Sequence, residues 1–138
     1  MPSSIKKQKT CSQLKKQFWK VFSQYIRKRD KGQCISCGII KDYREQDAGH
    51  YVNKSICGIE LYFHPQNVHA QCRACNYYRR GNLSLYALAL QNKYGPKILE
   101  QLEVVRKLSR GAKWSREIFK GKIEEYKEKL KELRKQDA

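Results

Sequence analysis

Four cysteines in two Cys-x-x-Cys pairs are the residues of this chain best suited to binding a metal ion. The pairs are Cys34 with Cys37 and Cys72 with Cys75. Four thiolates grouped in this way form the tetrahedral site that zinc prefers, and a structural zinc of this kind contributes on the order of 10 kcal/mol to the folding of zinc-finger peptides. The spacing therefore predicts one structural Zn²⁺. Cys11 and Cys57 fall outside the pattern, and we interpret both as ordinary thiols.

Three other polar residues have fixed places around these pairs. His50 lies between the pairs in a predicted strand, Asn67 comes five residues before Cys72, and Asn76 directly follows Cys75. Hydrolysis of a phosphodiester needs an activated water, which a histidine with a pKa near neutrality can supply. It also needs neutralisation of phosphate charge and stabilisation of the leaving group, which a divalent ion can supply. The residue types therefore fit a metal-dependent hydrolase acting on nucleic acid.

The order histidine, asparagine, asparagine beside the last cysteine resembles that of the His-Asn-His/Asn (HNH) or ββα-metal endonucleases. In that superfamily a hairpin and a helix surround one divalent ion, and many members carry two Cys-x-x-Cys knuckles. The flanking sequence is similar to the phage NinG (Rap) recombination family over residues 14–102. The segments that carry this similarity are 23–30, 34–38, 48–51, 67–72, 81–83 and 94–95. The resemblance implies a structure-selective DNA endonuclease that acts on branched recombination intermediates such as Holliday junctions.

The resemblance also implies roles for individual residues. His50 is expected to be the general base; the alternative is a histidine packed in a strand. Asn67 is expected to hold the loop and orient His50, or else to be a simple turn residue. Asn76 is expected to offer its carbonyl oxygen to a catalytic Mg²⁺ or Mn²⁺, or else to cap the helix that follows the second pair of cysteines.

Gly49 is the point at which the sequence departs from the superfamily. Many such nucleases have Asp or His immediately before the general base as a metal ligand, and glycine has no side chain to offer. Asp47 or His69 could substitute, although Asp47 would face away from His50 in a regular strand unless a bulge intervened. His64 precedes Pro65 in a predicted loop, and we interpret it as a surface residue.

The chain is strongly basic, with 30 Lys and Arg against 13 Asp and Glu and a net charge of +17. A surplus of this size destabilises a compact state by self-repulsion unless a polyanion binds it, so DNA or RNA is the expected partner. The residues closest in sequence to the site are the basic Lys54, Arg73, Arg79 and Arg80 and the aromatic Tyr77 and Tyr78, which could stack on exposed bases. For each of them the alternative is an ordinary surface or core position.

Hydrophobic periodicity predicts the elements that must position these residues. Expected helices are residues 12–29 with Ser12 as the N-cap, a helix after Cys72 interrupted at Gly81 and Asn82, and residues 84–93, 97–108 and 114–134. Short apolar runs within residues 46–52 and 61–68 are expected to form two strands, joined by a turn at 53–58. In the last helix, apolar residues follow a 4-3-4-3 spacing, a seam of about two heptads.

These elements predict an α+β fold in which a small zinc-stapled core is flanked by helices and followed by a long C-terminal helix. The resemblance implies that this core is of the ββα-metal (HNH), treble-clef-like type. The expected divisions are a disordered basic tail at 1–11, a nuclease domain at 12–108, and a helix at 112–138 for homodimerisation or partner binding. The start of the chain lacks the apolar core of a signal peptide, and no segment is apolar enough to span a membrane. We therefore expect a cytoplasmic protein with no membrane partner, and the resemblance implies a phage or prophage origin.

Two other functions also fit the sequence. A non-catalytic, zinc-containing DNA-binding accessory protein of recombination would account for the charge and for Gly49. An assembly protein would use the C-terminal helix to recruit a partner. Junction cleavage that depends on a divalent metal and on His50 would separate the endonuclease from both.

Overall fold

Five α-helices and one two-stranded sheet make up the part of the chain that the computed structural model describes, residues 7–137. In chain order they are α1 (Cys11–Arg29), β1 (Asp47–His50), α2 (Gly58–Tyr62), β2 (Val68–Gln71), α3 (Leu83–Tyr94), α4 (Ile98–Leu108) and α5 (Arg116–Gln136). A 3-10 turn at Tyr43–Glu45 precedes β1, and a π-helical turn at Ala74–Tyr78 follows β2. The structure is therefore a helix-dominated α+β fold with a long C-terminal helix. Residues 1–6 of the expected tail lie outside the described residues.

Helix α1 begins earlier than the sequence indicated. The Thr10 hydroxyl accepts a 3.2 Å hydrogen bond from the Gln13 backbone, and the Gln13 side chain accepts a 2.9 Å bond from the Thr10 backbone. This reciprocal pair is a capping box, which satisfies two otherwise unpaired backbone donors. The prediction of Ser12 as the N-cap is therefore wrong, because Ser12 already lies within the first helical turn.

The apolar seam of α5 packs against α1 and forms the main hydrophobic core with it. The buried seam residues are Phe119, Ile123, Tyr126 and Leu130. On α1, Phe18 and Phe22 are fully buried, and both rings contact Tyr126 with centroid separations of 5.4 Å and 5.1 Å. The seam is thus occupied within the chain, and a homodimer stays a prediction that would need a different surface.

Strands β1 and β2 pair antiparallel, with Asp47 opposite Gln71 and His50 opposite Val68. The first strand falls within the predicted 46–52, but the prediction of a strand over 61–68 is wrong for all but its last residue. Leu61 belongs to the short helix α2, and β2 begins only at Val68. An apolar run of this length fits a buried helix as well as a strand, so periodicity alone did not separate the two.

Helices α3 and α4 form a second core with α2, and Tyr86 of α3 reaches the sheet at Gly49. Its fully buried members are Cys57, Leu61, Tyr86, Leu90, Ile98 and Leu102. Gly95 ends α3 with a φ of 101°, a conformation that glycine adopts without strain, and so allows the sharp turn into α4. Among the helices of residues 7–137, none has the length and apolar character needed to cross a bilayer.

Candidate functional site

The two cysteine pairs come together beside the end of β2, where the backbone N–H of Ile35 donates to the Ala70 carbonyl. The four Sγ atoms all lie within 4.8 Å of one another, and those of Cys37 and Cys72 are 3.7 Å apart. Two sulfurs bound to one tetrahedral zinc at about 2.3 Å are separated by about 3.8 Å. The four cysteines can therefore hold a metal ion such as zinc. Cys57 is buried in the second core and Cys11 is exposed, and neither belongs to this cluster.

The polypeptide around the cluster sets the charge state of its thiols. Burial disfavours the Cys34 thiolate, but backbone N–H groups, that of Cys37 foremost, outweigh this effect and lower its pKa to about 7. Desolvation of its sulfur within the cluster raises the pKa of Cys37 to about 12, although the residue is otherwise exposed. The backbone N–H of Ile39 opposes this shift, and hydrogen bonds with the neighbouring thiols add to it. A bound divalent cation would remove this conflict, because it stabilises all four thiolates together.

His50 lies at the end of β1 with its ring fixed on two sides. Its Nε2 is 2.9 Å from the carbonyl oxygen of Tyr62, and its ring stacks on Trp19 with a centroid separation of 5.3 Å. Since a carbonyl oxygen only accepts, Nε2 carries the proton and Nδ1 carries the lone pair. Burial, with smaller contributions from Lys54 and Lys15, lowers the pKa of His50 to about 4. The imidazole is therefore a neutral base at pH 7.

Asn67 is fully buried and holds the loop that follows β1. Its Oδ1 accepts a 2.8 Å bond from the Val52 backbone, and its Nδ2 donates a 3.0 Å bond to the carbonyl of Leu61. Leu61 precedes Tyr62, whose carbonyl fixes His50. Asn67 thus acts on His50 through α2 and the loop, and its side chain makes no direct hydrogen bond to the imidazole among the described residues.

Asn76 and Asp47 are brought into contact by the π-helical turn. Asn76 Nδ2 donates a 3.1 Å hydrogen bond to Asp47 Oδ2, and Asn76 Oδ1 takes no part in this bond. Arg73 also pairs with Asp47, with Nε 3.0 Å from Oδ2. Of the two residues predicted to replace the missing ligand, Asp47 therefore lies beside Asn76 and His69 does not.

His69 faces the second core instead. Its Nδ1 is 3.1 Å from the hydroxyl of Tyr86, and its Nε2 is 2.8 Å from the hydroxyl of Tyr94. The Tyr86 hydroxyl donates to the Gly49 carbonyl, so Nδ1 carries the proton and Nε2 accepts from Tyr94. Both ring nitrogens are satisfied, and burial lowers the pKa of His69 to about 3. In this structure His69 is a neutral core residue.

Asp47, His50 and Asn76 line one continuous surface depression, which we call the His50 groove. Its two halves have volumes of about 460 and 510 Å³; Asp47 lines the first, His50 the second, and Asn76 both. The lining common to both halves is Trp19, Ala48, Lys54, Asn76 and Tyr77. A further cavity of about 600 Å³ lies beside Cys34 and Cys37, but its charged Asp30 is paired with Arg29 and Lys93. The His50 groove thus holds the reactive groups.

The predicted DNA-binding residues lie on or beside this groove. Lys54, Arg73, Arg79 and Arg80 are all exposed, and so are Tyr77 and Tyr78. The two tyrosine rings meet edge to face with a centroid separation of 5.1 Å, and 68% and 76% of their respective surfaces are accessible. An exposed aromatic pair among cations is available for stacking on bases.

Sequence reasoning missed two residues of the site, Trp19 and Gln71. Trp19 was one of several apolar residues of α1, and nothing local distinguished it as the stacking partner of His50. Gln71 precedes Cys72, and its side chain fills the space next to Gly49. A Cβ on residue 49 would overlap Gln71 Oε1 and lie 2.9 Å from Asn76 Oδ1. Glycine at this position therefore follows from the presence of Gln71.

Comparison with known proteins gives one consistent family. The family model described as "Bacteriophage Lambda NinG protein" matches residues 3–137. The chain is 36% identical over 120 residues to "Protein ninG" of Salmonella phage P22 and 35% identical over 120 residues to that of Escherichia phage lambda. These alignments cover 86% of the chain but 57% and 56% of the two relatives, so the chain spans little more than half their length. No solved structure is significantly similar to it.

Proposed function

Because this chain belongs to the family of the bacteriophage lambda NinG protein, we propose that it is a metal-dependent, HNH-type endonuclease that cuts branched DNA such as Holliday junctions. The observation that carries the proposal is the state of His50. Its Nε2–H is committed to the Tyr62 carbonyl, its lone pair is on Nδ1, and it lies in a basic groove. A neutral, oriented imidazole is what activation of a water for attack on phosphorus requires.

The low pKa of His50 has a consequence for the proposed reaction. A base whose conjugate acid has a pKa of about 4 is always available at pH 7 but takes up a proton reluctantly. Bound phosphate would raise this pKa, because an anion close to the ring stabilises its protonated form and offsets Lys54 and Lys15. Substrate binding would thus strengthen the base.

In this proposal Asn76 and Asp47 hold the divalent ion at the other half of the groove. Amide and carboxylate oxygens are the ligands that Mg²⁺ and Mn²⁺ take. The ion would neutralise charge on the phosphate and the leaving oxygen. Asp47 must release Arg73 at least in part to do so, and Arg73, 65% exposed at its side chain, is free to turn to a DNA phosphate.

The charge distribution supports DNA as the substrate. Residues 116–137, which are α5 and its C-cap, carry eight basic and six acidic residues, so +15 of the net charge of +17 lies in the rest of the chain, which includes the zinc cluster and the groove. Branched DNA offers unstacked bases at its crossover, and in this proposal the exposed rings of Tyr77, which lines the groove, and of its neighbour Tyr78 stack on them. The basic charge and the exposed tyrosines are our reasons for proposing selectivity for branched DNA.

A non-catalytic DNA-binding role is the second candidate, and Gly49 is the observation that favours it. A nuclease of this type without the ligand before its general base has a weaker hold on its ion. In that role the zinc cluster and the basic groove would bind junctions, and His50 would only pack against Trp19.

Nicking of a synthetic four-way junction tests the proposal. The zinc-loaded protein is assayed in Mg²⁺ and in Mn²⁺ beside linear duplex of the same sequence, and binding is measured in parallel in Ca²⁺. We expect His50→Ala to bind the junction normally and to lose nicking by about 10²-fold or more. His64→Ala is the matched control, since His64 is a half-buried histidine of the turn before β2.

The outcomes separate the two candidate functions. Equal nicking by wild type and His50→Ala would remove His50 from catalysis. Tight junction binding with no nicking in any metal would leave the accessory role. Equal cutting of junction and linear duplex would refute the selectivity for branched DNA and would still support the nuclease function.

A further inference from the structure

The side-chain oxygen of Gln71 is buried and has no hydrogen-bond partner among residues 7–137. Its orientation is set by the other end of the amide: Nε2 donates a 2.7 Å bond to the Gly81 carbonyl and a 2.9 Å bond to the Ser36 hydroxyl. Turning the amide over would place an oxygen against the Gly81 carbonyl, so Oε1 must point the opposite way. Buried amide oxygens normally have a hydrogen-bond partner, so the surroundings of this oxygen call for an explanation.

Gln71 Oε1 points to the space beside Gly49 and Asn76. A Cβ on residue 49 would overlap Gln71 Oε1 and would lie 2.9 Å from Asn76 Oδ1. Two acceptor oxygens from different elements thus converge where the side chain of residue 49 would project. Asn76 Oδ1 is held there because its amide nitrogen donates to Asp47, whose carboxylate adds negative charge beside the pair.

We propose that Gln71 Oε1 and Asn76 Oδ1 are ligands of one divalent cation, with Gln71 supplying the oxygen that a residue at position 49 cannot. Two oxygens that both accept do not stabilise each other, whereas Mg²⁺ and Mn²⁺ bind amide and carboxylate oxygens together. The catalytic use of this cation rests on the proposed endonuclease function, but its binding does not. The proposal explains in one arrangement why residue 49 is glycine and why an amide oxygen of Gln71 is unpartnered.

Binding of Mn²⁺ to the zinc-loaded full chain tests the site without DNA. Free Mn²⁺ is measured by electron paramagnetic resonance during a titration of wild type, Gln71→Met and Gln46→Met. Gln46 is a matched control, because it is also buried, its Nε2 also donates to loop carbonyls, and its Oε1 also lacks a partner in the described part of the chain. We expect Gln71→Met to weaken Mn²⁺ binding about tenfold or more and Gln46→Met to leave it unchanged.

Moving the ligand back to position 49 gives a second measurement. Gly49→Asp alone should not restore or improve binding, since Gln71 fills that space. The double variant Gly49→Asp with Gln71→Ala should bind Mn²⁺ at least as tightly as wild type, because a carboxylate then occupies the vacated volume. If zinc content and circular dichroism show that Gln71→Met does not fold, Mn²⁺ binding by the double variant tests the role of Gln71 instead.

Each result has one meaning. Unchanged Mn²⁺ affinity in folded Gln71→Met, or a loss in Gln46→Met instead, overturns the assignment of Gln71, and junction nicking by wild type would still support the endonuclease. Wild type that binds Mn²⁺ through Gln71 but nicks no junction keeps the cation site and refutes the endonuclease. Wild type that binds no Mn²⁺ overturns the site, whatever the nicking assay shows.

Discussion

The hydroxyl of Tyr86 donates a 2.7 Å hydrogen bond to the carbonyl oxygen of Gly49, the residue before His50 in β1. Tyr86 is fully buried in α3, and its oxygen accepts in turn from His69, which accepts from Tyr94. A chain of three side chains thus reaches from α3 through the sheet to the backbone of the proposed site. The hydroxyl is the point at which the second core fixes β1.

Removing that hydroxyl should cost stability. Tyr86→Phe removes the second hydrogen bond to the Gly49 carbonyl, which also pairs across the sheet with His69, and leaves the His69 Nδ1–H buried without its acceptor. We therefore expect the free energy of unfolding to fall by about 1–3 kcal/mol. Urea denaturation measures this change. Tyr51→Phe is the control, because Tyr51 contacts the same ring but its hydroxyl makes no hydrogen bond within residues 7–137. Equal losses in both variants would contradict the role of the hydroxyl.

Gly49 and Gly121 should respond to alanine in opposite directions. At Gly49 a Cβ would overlap Gln71 Oε1, so Gly49→Ala should lower the free energy of unfolding by about 1–3 kcal/mol. At Gly121, inside α5, a Cβ meets nothing within 4 Å, and alanine should raise it by about 0.5–1 kcal/mol. Thermal and urea unfolding measure both. A neutral Gly49→Ala would mean that Gln71 moves aside easily.

Loss of the metal should unfold the protein. Cys37→Ser removes one of the four clustered thiols, and we expect it to lower bound zinc well below one ion per chain and to abolish the cooperative thermal transition. Cys11→Ser is the control, because Cys11 is exposed like Cys37 but lies outside the cluster. Metal content by atomic absorption and melting by circular dichroism are the measurements. Full zinc content in Cys37→Ser would exclude the four-sulfur site.

Acidification should destabilise the protein before either buried histidine takes up a proton. The folded-state pKa values of His50 and His69 are about 4 and about 3, below the ordinary 6.5 of an unfolded chain. Between pH 6.5 and 5 the unfolded chain therefore binds protons that the folded chain does not. The free energy of unfolding should fall by about 1–2 kcal/mol per histidine over that interval.

Proton NMR of the imidazole rings checks the cause of that loss. Neither His50 nor His69 should titrate between pH 8 and pH 5 while zinc content stays constant. A ring of either residue that titrates near 6.5 would show that it is accessible to water and would remove its share of the pH dependence.

The sequence predicted the cysteine cluster and four of the helices well, because each depends on residue spacing within a short segment. The spacing of the two Cys-x-x-Cys pairs is by itself typical of a metal site. The period of 3.6 residues identified α1, α3, α4 and α5 to within one or two residues at most ends. Asp47 beside Asn76 was one of two substitutes considered, and the pair is formed because the π-helical turn places Asn76 against β1.

What the sequence did not predict depends on contacts between distant segments. Trp19 became the stacking partner of His50 only through the packing of α1 on the sheet. The position of Gln71 depends on the absence of a Cβ at Gly49, whose space its side-chain oxygen fills, and no periodicity encodes this contact. The boundary between α2 and β2 was misplaced because Leu61 and Val68 are both apolar and buried, and tertiary contacts alone assign them to different elements.

The packing of α5 on α1 fixes an order of events during synthesis on the ribosome. All four clustered cysteines have been made once the chain reaches Cys75, so the metal can bind while α5 is still untranslated. The sides of Phe18 and Phe22 that pack on Tyr126 stay exposed until residues 116–136 have left the exit tunnel. The nascent chain can therefore hold a metal-ordered centre while the face of α1 that α5 will cover is still exposed and prone to aggregation.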